Sequence, residues 1–286
     1  MRTLRYLIEF IIIHFLFIIF KFIGYEKASN LGYKIGSTFG NYFKSKELIN
    51  NNLKKAKVSD NDNLNQISKN VLGNYGRILA EYPFLKNFRE NKLNKYLEIE
   101  GIENLKKLKE EKKQAVFISG HFNNFELMAM QIEKAGIDLC AIYRPLNNKF
   151  LNRTMEHIRK NFICREQISK GRPGTRKIIE SLKSGFSVAL MIDQRVREGS
   201  NIDFFGNPAT TTTIPAQLIT KYSCDLIPVY IERKKKFYFK MYISEPIKVD
   251  KNKSIDEITL YLNKVLEKMI TKNVDQWIWT HDRWKS

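Results

Sequence analysis

The stretch Ala115–Glu126, which reads AVFISGHFNNFE, decides the fold. Its first five residues, Ala115–Ser119, are an apolar run that predicts a buried strand. The following residues, Asn123–Ala135, have the pattern of a helix, so the chain turns from strand to helix within a few residues. In open α/β sheets, functional sites gather where strands end, and His121 stands at such an end.

The same alternation of short apolar runs and helical segments continues downstream. It predicts an α/β fold, a mixed sheet with helices on both faces. The predicted strands are Tyr96–Glu100, Ala115–Ser119, Asp138–Tyr143, Phe186–Ile192, Asp225–Glu232 and Phe237–Ser244. The last two form a hairpin around Arg233–Lys236, whose side chains are expected in solvent. The predicted helices after the first one are Asn148–Asn161, Pro173–Lys183, Ile214–Tyr222 and Ser254–Lys272.

The residues before this core have a different spacing of apolar side chains. Residues 28–90 show apolar side chains at helical spacing, with Asn50–Asn65 expected as a surface connection. We therefore predict an anchor helix over residues 1–25 and a single domain over residues 26–286. Within that domain, residues 26–95 are the helical part and residues 96–286 the α/β core.

The N-terminus carries the apolar run Phe10–Phe20, FIIIHFLFIIF. As a helix it spans about 16 Å, short of the roughly 30 Å hydrocarbon core of a bilayer. Extending it to Leu4–Ile23 gives enough length but includes Glu9, which argues for a tilted, shallow or monotopic helix. A cleaved signal peptide and a buried core helix are the alternatives to a retained membrane anchor. Because more basic residues follow the run than precede it, the body of the protein is expected on the cytoplasmic side of the membrane.

Charge and cysteine content narrow the classes of protein. The chain has 286 residues with 49 Lys and Arg against 30 Asp and Glu, a formal net charge of +19. Such an excess indicates an anionic partner, yet the sequence has no helix-turn-helix, zinc-finger or RNP-like motif, so nucleic acid is not expected. Three cysteines without metal-ligand spacing fit a reducing compartment and predict neither a disulfide scaffold nor a metal site.

His121 and Glu126 are the candidate chemical pair. A carboxylate five residues after a histidine, across a strand-to-helix turn, can fix the tautomer of the imidazole and stabilise its charged form. The competing interpretation is structural, because Asn123 and Glu126 have the spacing of a helix capping box. By itself this spacing is a weak signal, and both interpretations can hold together.

Five ordered blocks of sequence add a resemblance. The chain resembles the lipid A biosynthesis acyltransferase family, the late lauroyl and myristoyl transferases, over about residues 110–286. The blocks are Ser119-Gly120-His121 through Phe125-Glu126, Tyr143-Arg144-Pro145 with Asn147 and Asn148, Asp193-Gln194, Phe204 through Thr213, and Gln276 through Trp279 with His281, Arg283 and Trp284.

This resemblance implies a glycerolipid-acyltransferase-like fold and a membrane-bound enzyme of lipid A and lipopolysaccharide biosynthesis at the inner membrane. It implies acyl transfer from acyl carrier protein or acyl-CoA to a hydroxyl of an anionic glycolipid, without a cofactor. By the same resemblance His121 is the general base, oriented by Glu126.

Four further residues of the matched blocks are candidate substrate-binding residues. Arg144 follows a strand end and could bind phosphates or an oxyanion. Asp193, at another strand end, could organise the site or position other side chains. Phe204 and Phe205 could line an acyl-chain pocket or fill the core, and the tryptophans near His281 could rest on the membrane or close the core.

Two other functions stay open on the sequence alone. An acyltransferase of the same superfamily acting on another phospholipid, glycolipid or aminolipid would have the same fold and the same His121–Glu126 pair. A basic protein that binds the membrane surface without catalysis would have no need of either residue.

Overall fold

The structure, a computed structural model, describes residues 2–222, 224–250 and 252–285. Its α-helices are α1 (Arg2–Ile23), α2 (Tyr25–Phe39), α3 (Lys46–Ala56), α4 (Leu64–Glu81), α5 (Leu85–Arg89), α6 (Ile102–Glu110), α7 (Glu126–Lys134), α8 (Lys149–Ile158), α9 (Arg172–Lys183), α10 (Ile214–Lys221) and α11 (Ile255–Lys272). Its strands are β1 (Leu97–Glu100), β2 (Ala115–Ser119), β3 (Leu139–Tyr143), β4 (Glu166–Ser169), β5 (Ser187–Met191), β6 (Ser200–Phe204), β7 (Asn207–Thr211), β8 (Asp225–Lys235) and β9 (Tyr238–Ile243).

Seven strands form one mixed sheet in the order β1-β9-β8-β2-β5-β3-β4, and helices flank it. The neighbouring pairs β8–β2, β2–β5, β5–β3 and β3–β4 are parallel, whereas β8 and β9 are an antiparallel hairpin. Strands β6 and β7 form a separate two-stranded hairpin. The α/β class and the mixed sheet predicted from the sequence are thus confirmed.

Strand β2 lies in the middle of the sheet, between β8 and β5. All five of its residues are buried, which explains why AVFIS is an unbroken apolar run rather than an alternating one. A central parallel strand is covered on both faces, so neither set of its side chains reaches water. The carboxyl end of β2 therefore opens onto the sheet edge from within the most buried part of the fold.

Helices α2 and α4 pack unusually closely. A Cβ on Gly76 would lie 1.9 Å from the backbone oxygen of Gly32, closer than any real Cβ contact. Glycine at these two positions lets the two helix backbones touch. The helical part of the chain is therefore a tight pair rather than a loose bundle.

A buried ion pair joins this helical part to the core. Arg233 of β8 donates to both carboxylate oxygens of Glu81 of α4, at 2.7 and 3.1 Å. Ser29 and Asn124 donate to the same carboxylate, at 2.7 and 3.2 Å. The ion pair crosses from residues 26–95 to residues 96–286, and the domain boundaries themselves stay a prediction.

Two local predictions are wrong. Asn50–Asn65 is not a surface connection throughout, because α3 continues to Ala56 and buries Asn52, which donates to the backbone oxygens of Trp279 and His281. Arg233 does not lie in solvent at the hairpin tip, because its long side chain turns inward to Glu81. The sequence pattern located both segments correctly but gave no sign of these long-range partners.

Helix α1 is long and apolar enough to cross a membrane, as judged by its length and composition. Only 11% of its most apolar window is buried inside the structure, which disfavours the core-helix alternative. Such a helix near an N-terminus is weak evidence for a membrane span, because a signal sequence passes the same test.

Candidate active site

Four parallel strands carry four candidate site residues at one edge of the sheet. His121 follows β2, Asp193 follows β5, Arg144 follows β3 and Lys170 follows β4. Because β2, β5, β3 and β4 are parallel neighbours, their carboxyl ends meet at the same edge. This is the edge at which open α/β sheets carry their ligands.

His121 and Asp193 form the centre of the site. The His121 Nδ1 lies 2.8 Å from Asp193 Oδ1, and the backbone nitrogen of His121 donates to Asp193 Oδ2 at 2.7 Å. The indole nitrogen of Trp277 also donates to Oδ2, at 2.8 Å. One carboxylate therefore holds the main chain and the ring of His121 together.

The charge of Asp193 follows from this environment. Complete burial raises the pKa of its carboxyl, but the charge of His121 and the hydrogen bonds from His121 and Trp277 lower that pKa by more, so it lies below its usual value. A carboxylate can only accept, so Nδ1 of His121 carries a proton, and whenever the ring is neutral Nε2 has the free lone pair. The His121 side chain is 20% exposed, which leaves a path for a substrate to that lone pair.

The local chain path allows this close approach. Gly120 sits where a Cβ would lie 3.2 Å from Asp193 Oδ2 and 2.9 Å from Leu266 Cδ1. The backbone nitrogen of Ile192 donates to the Ser119 oxygen at 2.9 Å, so the β2–β5 pairing runs on to the base of the site. The residue before His121 therefore has to be small for the carboxylate to reach it.

The C-terminal segment closes the site from the other side. Trp277 pairs with Phe122 in an isolated antiparallel bridge, and Asn123 donates its backbone N–H to the Gln276 oxygen at 3.1 Å. The tryptophans at 277, 279 and 284 are all buried, at 2%, 0% and 8% exposed. The core interpretation of this aromatic cluster is therefore correct, and Trp277 belongs to the site through its bond to Asp193.

A second histidine lies behind the first. The Nε2 of His281 accepts from the backbone nitrogen of Arg195 at 3.0 Å, which ties the C-terminal segment to the loop after Asp193. Burial lowers the pKa of His281, and the Asp193 charge raises it by less. His281 is therefore a neutral acceptor that helps to fix the loop carrying Asp193.

Glu126 has other partners than the predicted one. Its Oε1 accepts from Nε and Nη2 of Arg159 at 2.9 and 2.8 Å, and from the hydroxyl of Tyr82. Arg159 opens a π-helical turn, Arg159–Ile163, that directly follows α8. Among the described residues no hydrogen bond joins Glu126 to His121, so the carboxylate that orients the ring in this structure is Asp193. A catalytic role for Glu126 stays a prediction.

The capping-box interpretation of Glu126 is wrong. Helix α7 begins at Glu126 itself, and no side chain caps its N-terminus. Asn123 adopts a left-handed backbone (φ 44°), and its amide donates to Ile231 and Gln276 instead. A true capping box starts α11, where Ser254 and Glu257 satisfy each other's backbone N–H groups.

Phe204 and Phe205 form part of the β6–β7 hairpin. Phe204 is fully buried, with its ring 5.9 Å from Trp277 and 5.7 Å from Trp284, whereas Phe205 is partly buried. This placement favours the core alternative for Phe204. Contact of either ring with an acyl chain stays a prediction.

Arg144 and Lys170 lie side by side on the outer strands of this edge. Both side chains are exposed, and the backbone nitrogen of Lys170 donates to the backbone oxygen of Tyr143 at 2.8 Å. Partial removal from water lowers the pKa of Lys170, the charge of Arg144 lowers it further, and the charge of Asp193 raises it. No carboxylate of the described residues forms an ion pair with either one.

The sequence reasoning missed Trp277, Arg159, Tyr82 and Lys170 as members of this site. The position of Lys170 directly after a strand could have been found only if β4 had been predicted, and its four residues EQIS carry little apolar signal. Nothing local marks Arg159 or Tyr82, because each reaches Glu126 from a distant part of the chain. Among the described residues, no group of three or more His, Cys, Asp or Glu side chains is placed to hold a metal ion.

Comparison with known proteins identifies the family of this chain. Over 272 residues the chain is 26% identical to the lipid A biosynthesis palmitoleoyltransferase of Escherichia coli (strain K12). The matched region covers 90% of this chain and 84% of that protein. The lipid A biosynthesis acyltransferase of Shigella flexneri matches equally well. The lipid A biosynthesis lauroyltransferase of Escherichia coli (strain K12) is 24% identical over 273 residues, 92% of this chain and 86% of that protein. The family model for bacterial lipid A biosynthesis acyltransferases matches residues 1–286. The chain is therefore an acyltransferase and belongs to the bacterial lipid A biosynthesis acyltransferase family.

Proposed function

We propose that this acyltransferase moves a fatty acyl chain from an acyl thioester to a hydroxyl of a lipid A precursor, with His121 as general base. The observation that carries the mechanism is the bond between His121 Nδ1 and the buried Asp193 carboxylate, at 2.8 Å. This bond fixes the tautomer that leaves Nε2 unprotonated, and it stabilises the imidazolium that forms on proton transfer.

The proposed reaction is a substitution at the thioester carbonyl, with one proton transfer at its start and one at its end. Nε2 of His121 takes the proton of the acceptor hydroxyl as its oxygen attacks the thioester carbonyl carbon. The carbon–sulfur bond then breaks, and the imidazolium returns its proton to the departing sulfur. The products are an ester on the glycolipid and a free thiol on the donor, and His121 is restored.

Direct transfer is favoured over a covalent acyl-enzyme. Ser119 is buried, and its hydroxyl donates within the structure to the Gly120 oxygen at 3.3 Å. Burial raises the pKa of the Cys140 thiol to about 11 and that of the Cys164 thiol to about 12, so both are protonated at neutral pH. None of these three groups is activated as a nucleophile.

The anionic acceptor is proposed to bind along the sheet edge beside His121. Arg144 and Lys170 follow neighbouring strands on the same edge and are exposed. A phosphate or carboxylate of the glycolipid headgroup next to these two cations gains charge-assisted hydrogen bonds. Replacing Lys170 with Gln should raise the KM for the acceptor while leaving the KM for the donor unchanged, with Lys183→Gln at the far end of α9 as the matched control.

The donor is proposed to be acyl carrier protein or acyl-CoA. The net charge of +19 supports either an acidic carrier protein or a phosphorylated small molecule. Measuring initial rates with each donor across a salt series separates the two. A strong loss of apparent affinity for the carrier protein with rising salt supports a protein donor, and a salt-independent KM contradicts electrostatic recruitment.

The protein is proposed to work at the cytoplasmic face of the inner membrane, attached through α1. Support comes from the exposed apolar surface of this helix and from the basic residues that follow it. The full chain should fractionate with inner membranes and require detergent. Recovery of the full chain in the soluble fraction at low salt would contradict the attachment.

The general-base role is tested by His121→Ala. Loss of the base should lower kcat by about 10²–10⁴-fold, with the melting temperature preserved. Mass spectrometry of lipid A from a deletion strain, complemented with either form, identifies the acceptor and the chain transferred. Full activity of His121→Ala would overturn the mechanism, and an unchanged lipid A with a changed phospholipid would favour the alternative acceptor class.

A further inference from the structure

Helix α1 has two faces of opposite character. On one face Phe17 and Phe20 are buried in the core, and Tyr6, Phe10 and His14 are partly covered. The opposite face is apolar and exposed along the whole helix, through Leu4, Leu7, Ile8, Ile11, Ile12, Phe15, Ile18 and Phe22. One side of α1 is thus already occupied by the protein itself.

Polar contacts pin the first half of α1 to α8. The side-chain amide nitrogen of Asn148 donates to the backbone oxygen of Tyr6 at 2.9 Å and to Glu9 Oε2 at 3.1 Å. The side-chain oxygen of Asn148 caps the start of α8. Further along, His14 Nε2 lies 3.2 Å from the Thr154 hydroxyl. Glu9, the residue that fits a membrane span least well, therefore faces a partner in the body of the protein.

The second half of α1 is held as well. It contacts α2, α4 and the 3₁₀ turn Tyr82–Phe84, and Phe17 and Phe20 are 8% and 2% exposed. The helix is therefore packed lengthwise on the protein, over about 30 Å at 1.5 Å per residue. It cannot leave the body to cross a bilayer alone without breaking contacts at both ends.

The neighbouring helix shows what a crossing would place in hydrocarbon. Asn148 lies beside Glu9, the Phe150 ring is 6.1 Å from Phe10, and Thr154 lies beside His14. Lys149 and Arg153 of α8 are exposed at these same levels, opposite the middle of α1. If α1 spanned the membrane, both cations would lie near the centre of the bilayer, where charges are strongly disfavoured.

We propose that α1 is a monotopic helix that lies along one leaflet, with its exposed face in the acyl-chain region and its other face docked on α8. This inference deepens the proposed membrane attachment and rests on it. The occupant of the exposed face is an anionic bilayer surface. The charges around the apolar face fit it, because Arg2, Arg5 and Lys21 on α1 and Lys149 and Arg153 on α8 are exposed cations. The proposed orientation would place them at the level of the headgroups.

The arrangement also places the membrane next to the reaction. Helix α8, which carries the docking contacts, is separated from the end of β3 by five residues, 144–148, at the edge that carries His121 and Arg144. Leu146 and Phe150, in and just after the connecting loop, are exposed apolar side chains, and the Phe150 ring lies beside Phe10 of α1. A glycolipid in the same leaflet therefore meets the site from the side of α1.

Depth-dependent fluorescence quenching tests the proposal. Leu4, Ile11 and Ile18 are seven residues apart, share the exposed face and are 62%, 57% and 66% exposed. Each is replaced by Cys in the full chain carrying Cys224→Ser, since Cys140 and Cys164 are buried, and labelled with an environment-sensitive fluorophore. The protein is bound to vesicles of phosphatidylethanolamine and phosphatidylglycerol whose acyl chains carry bromine at a known depth.

The two geometries give different depth profiles. A monotopic helix places all three labels at one shallow depth, quenched best by bromine near the headgroups. A spanning helix separates Leu4 and Ile18 by about 21 Å along the membrane normal and puts Ile11 near the centre. Deep quenching of Ile11 with shallow quenching of the outer two would overturn the proposal.

A label at Lys183, on α9 and far from α1 in the chain, serves as the control and should remain unquenched. Loss of quenching at all three α1 positions would contradict membrane attachment itself, which separates that failure from a wrong geometry. Asn148→Ala, which frees the first half of α1, should make the label at Ile11 deeper than in the parent protein. An unchanged depth in this variant would contradict the docking role of Asn148.

Discussion

Asp193 and Glu126 are two buried carboxylates beside the loop that carries His121, and they are compensated in different ways. Asp193 accepts from a backbone N–H, an imidazole N–H and an indole N–H, none of which belongs to a permanent cation. Glu126 accepts from the guanidinium of Arg159, a permanent cation, and from the Tyr82 hydroxyl. The first carboxylate has no permanent cation at contact distance, and the second faces a full positive charge.

The effects on the neighbouring groups show the same difference. Burial lowers the pKa of Arg159, but the charge and hydrogen bonds of Glu126 raise it by more, so it lies above its usual value. Burial and the Glu126 charge also raise the pKa of Tyr82. Glu126 is therefore neutralised locally, whereas the charge of Asp193 is available to an imidazolium on His121. Burial and short contacts alone do not identify the carboxylate that supports a base.

The largest expected effect comes from Asp193→Asn. An amide at this position would favour the wrong tautomer of His121 and could not stabilise the imidazolium, so kcat should fall by up to about 10⁴-fold. Glu126→Gln is the matched carboxylate-to-amide control and should lose much less activity. Steady-state kinetics of the two variants, with circular dichroism to confirm folding, check this. If Glu126→Gln loses more activity than Asp193→Asn at equal stability, the assignment of the orienting carboxylate is wrong.

Glu126→Gln should instead reduce stability. The variant leaves the Arg159 guanidinium largely buried without its counter-charge, which costs on the order of 3 kcal/mol in the free energy of unfolding. Chemical denaturation at pH 7 measures the loss. The double variant with Arg159→Met should recover part of it, because the uncompensated charge is then gone. A single variant as stable as the parent would show that the ion pair contributes nothing.

A smaller effect is expected from Trp277→Phe. This change keeps the aromatic packing but removes one of three donors to Asp193, a charge-assisted bond worth about 1.5–3 kcal/mol. We expect kcat to fall by roughly 10-fold or more, with little change in the KM of either substrate. Trp279→Phe is the control, since its indole nitrogen donates only to the Val274 oxygen. Equal activities of the two variants would remove Trp277 from the site.

The smallest effect concerns pH and His281. Its pKa is lowered by burial, a shift to which Arg283, His121 and Lys170 add while Asp193 opposes it. The folded protein therefore keeps His281 neutral at a pH where the unfolded chain already takes up a proton. The contribution of His281 to the free energy of unfolding is complete above about pH 6.5 and is lost as the pH falls below that value. Melting temperatures should decline between pH 7 and pH 5.

His281→Gln keeps an acceptor for the Arg195 N–H and should decline less steeply over this range. His157→Gln, at an exposed position on α8, should follow the parent protein. If the melting temperatures of the parent and His281→Gln fell equally with pH, a group other than His281 would be responsible for the loss of stability in acid.

The comparison of Asp193 with Glu126 also shows how much of the fold and of the site can be predicted from the sequence. Strand β2 and the turn to His121 were predictable because an unbroken apolar run followed by Gly120 is a local pattern. Resemblance to the family pointed to both Asp193 and Glu126 but not to their partners. Asp193 bonds to His121 and Trp277, and Glu126 bonds to Tyr82 and Arg159. The β6–β7 hairpin was missed for a related reason: its strands, SNIDF and NPATT, have short and polar sequences and pair only with each other. Local patterns gave candidate residues, and only the packed fold shows which of them touch.

If α1 lies along one leaflet as we propose, its lengthwise packing has a consequence for the kind of membrane in which the enzyme can work. A helix that spans a bilayer must match its thickness, and it tilts or deforms the lipid when it does not. A helix docked along one leaflet meets the lipid only at a fixed depth below the headgroups. The height of His121 above that leaflet is then set by the Asn148 contacts within the protein, and lipids of different chain length would leave it unchanged.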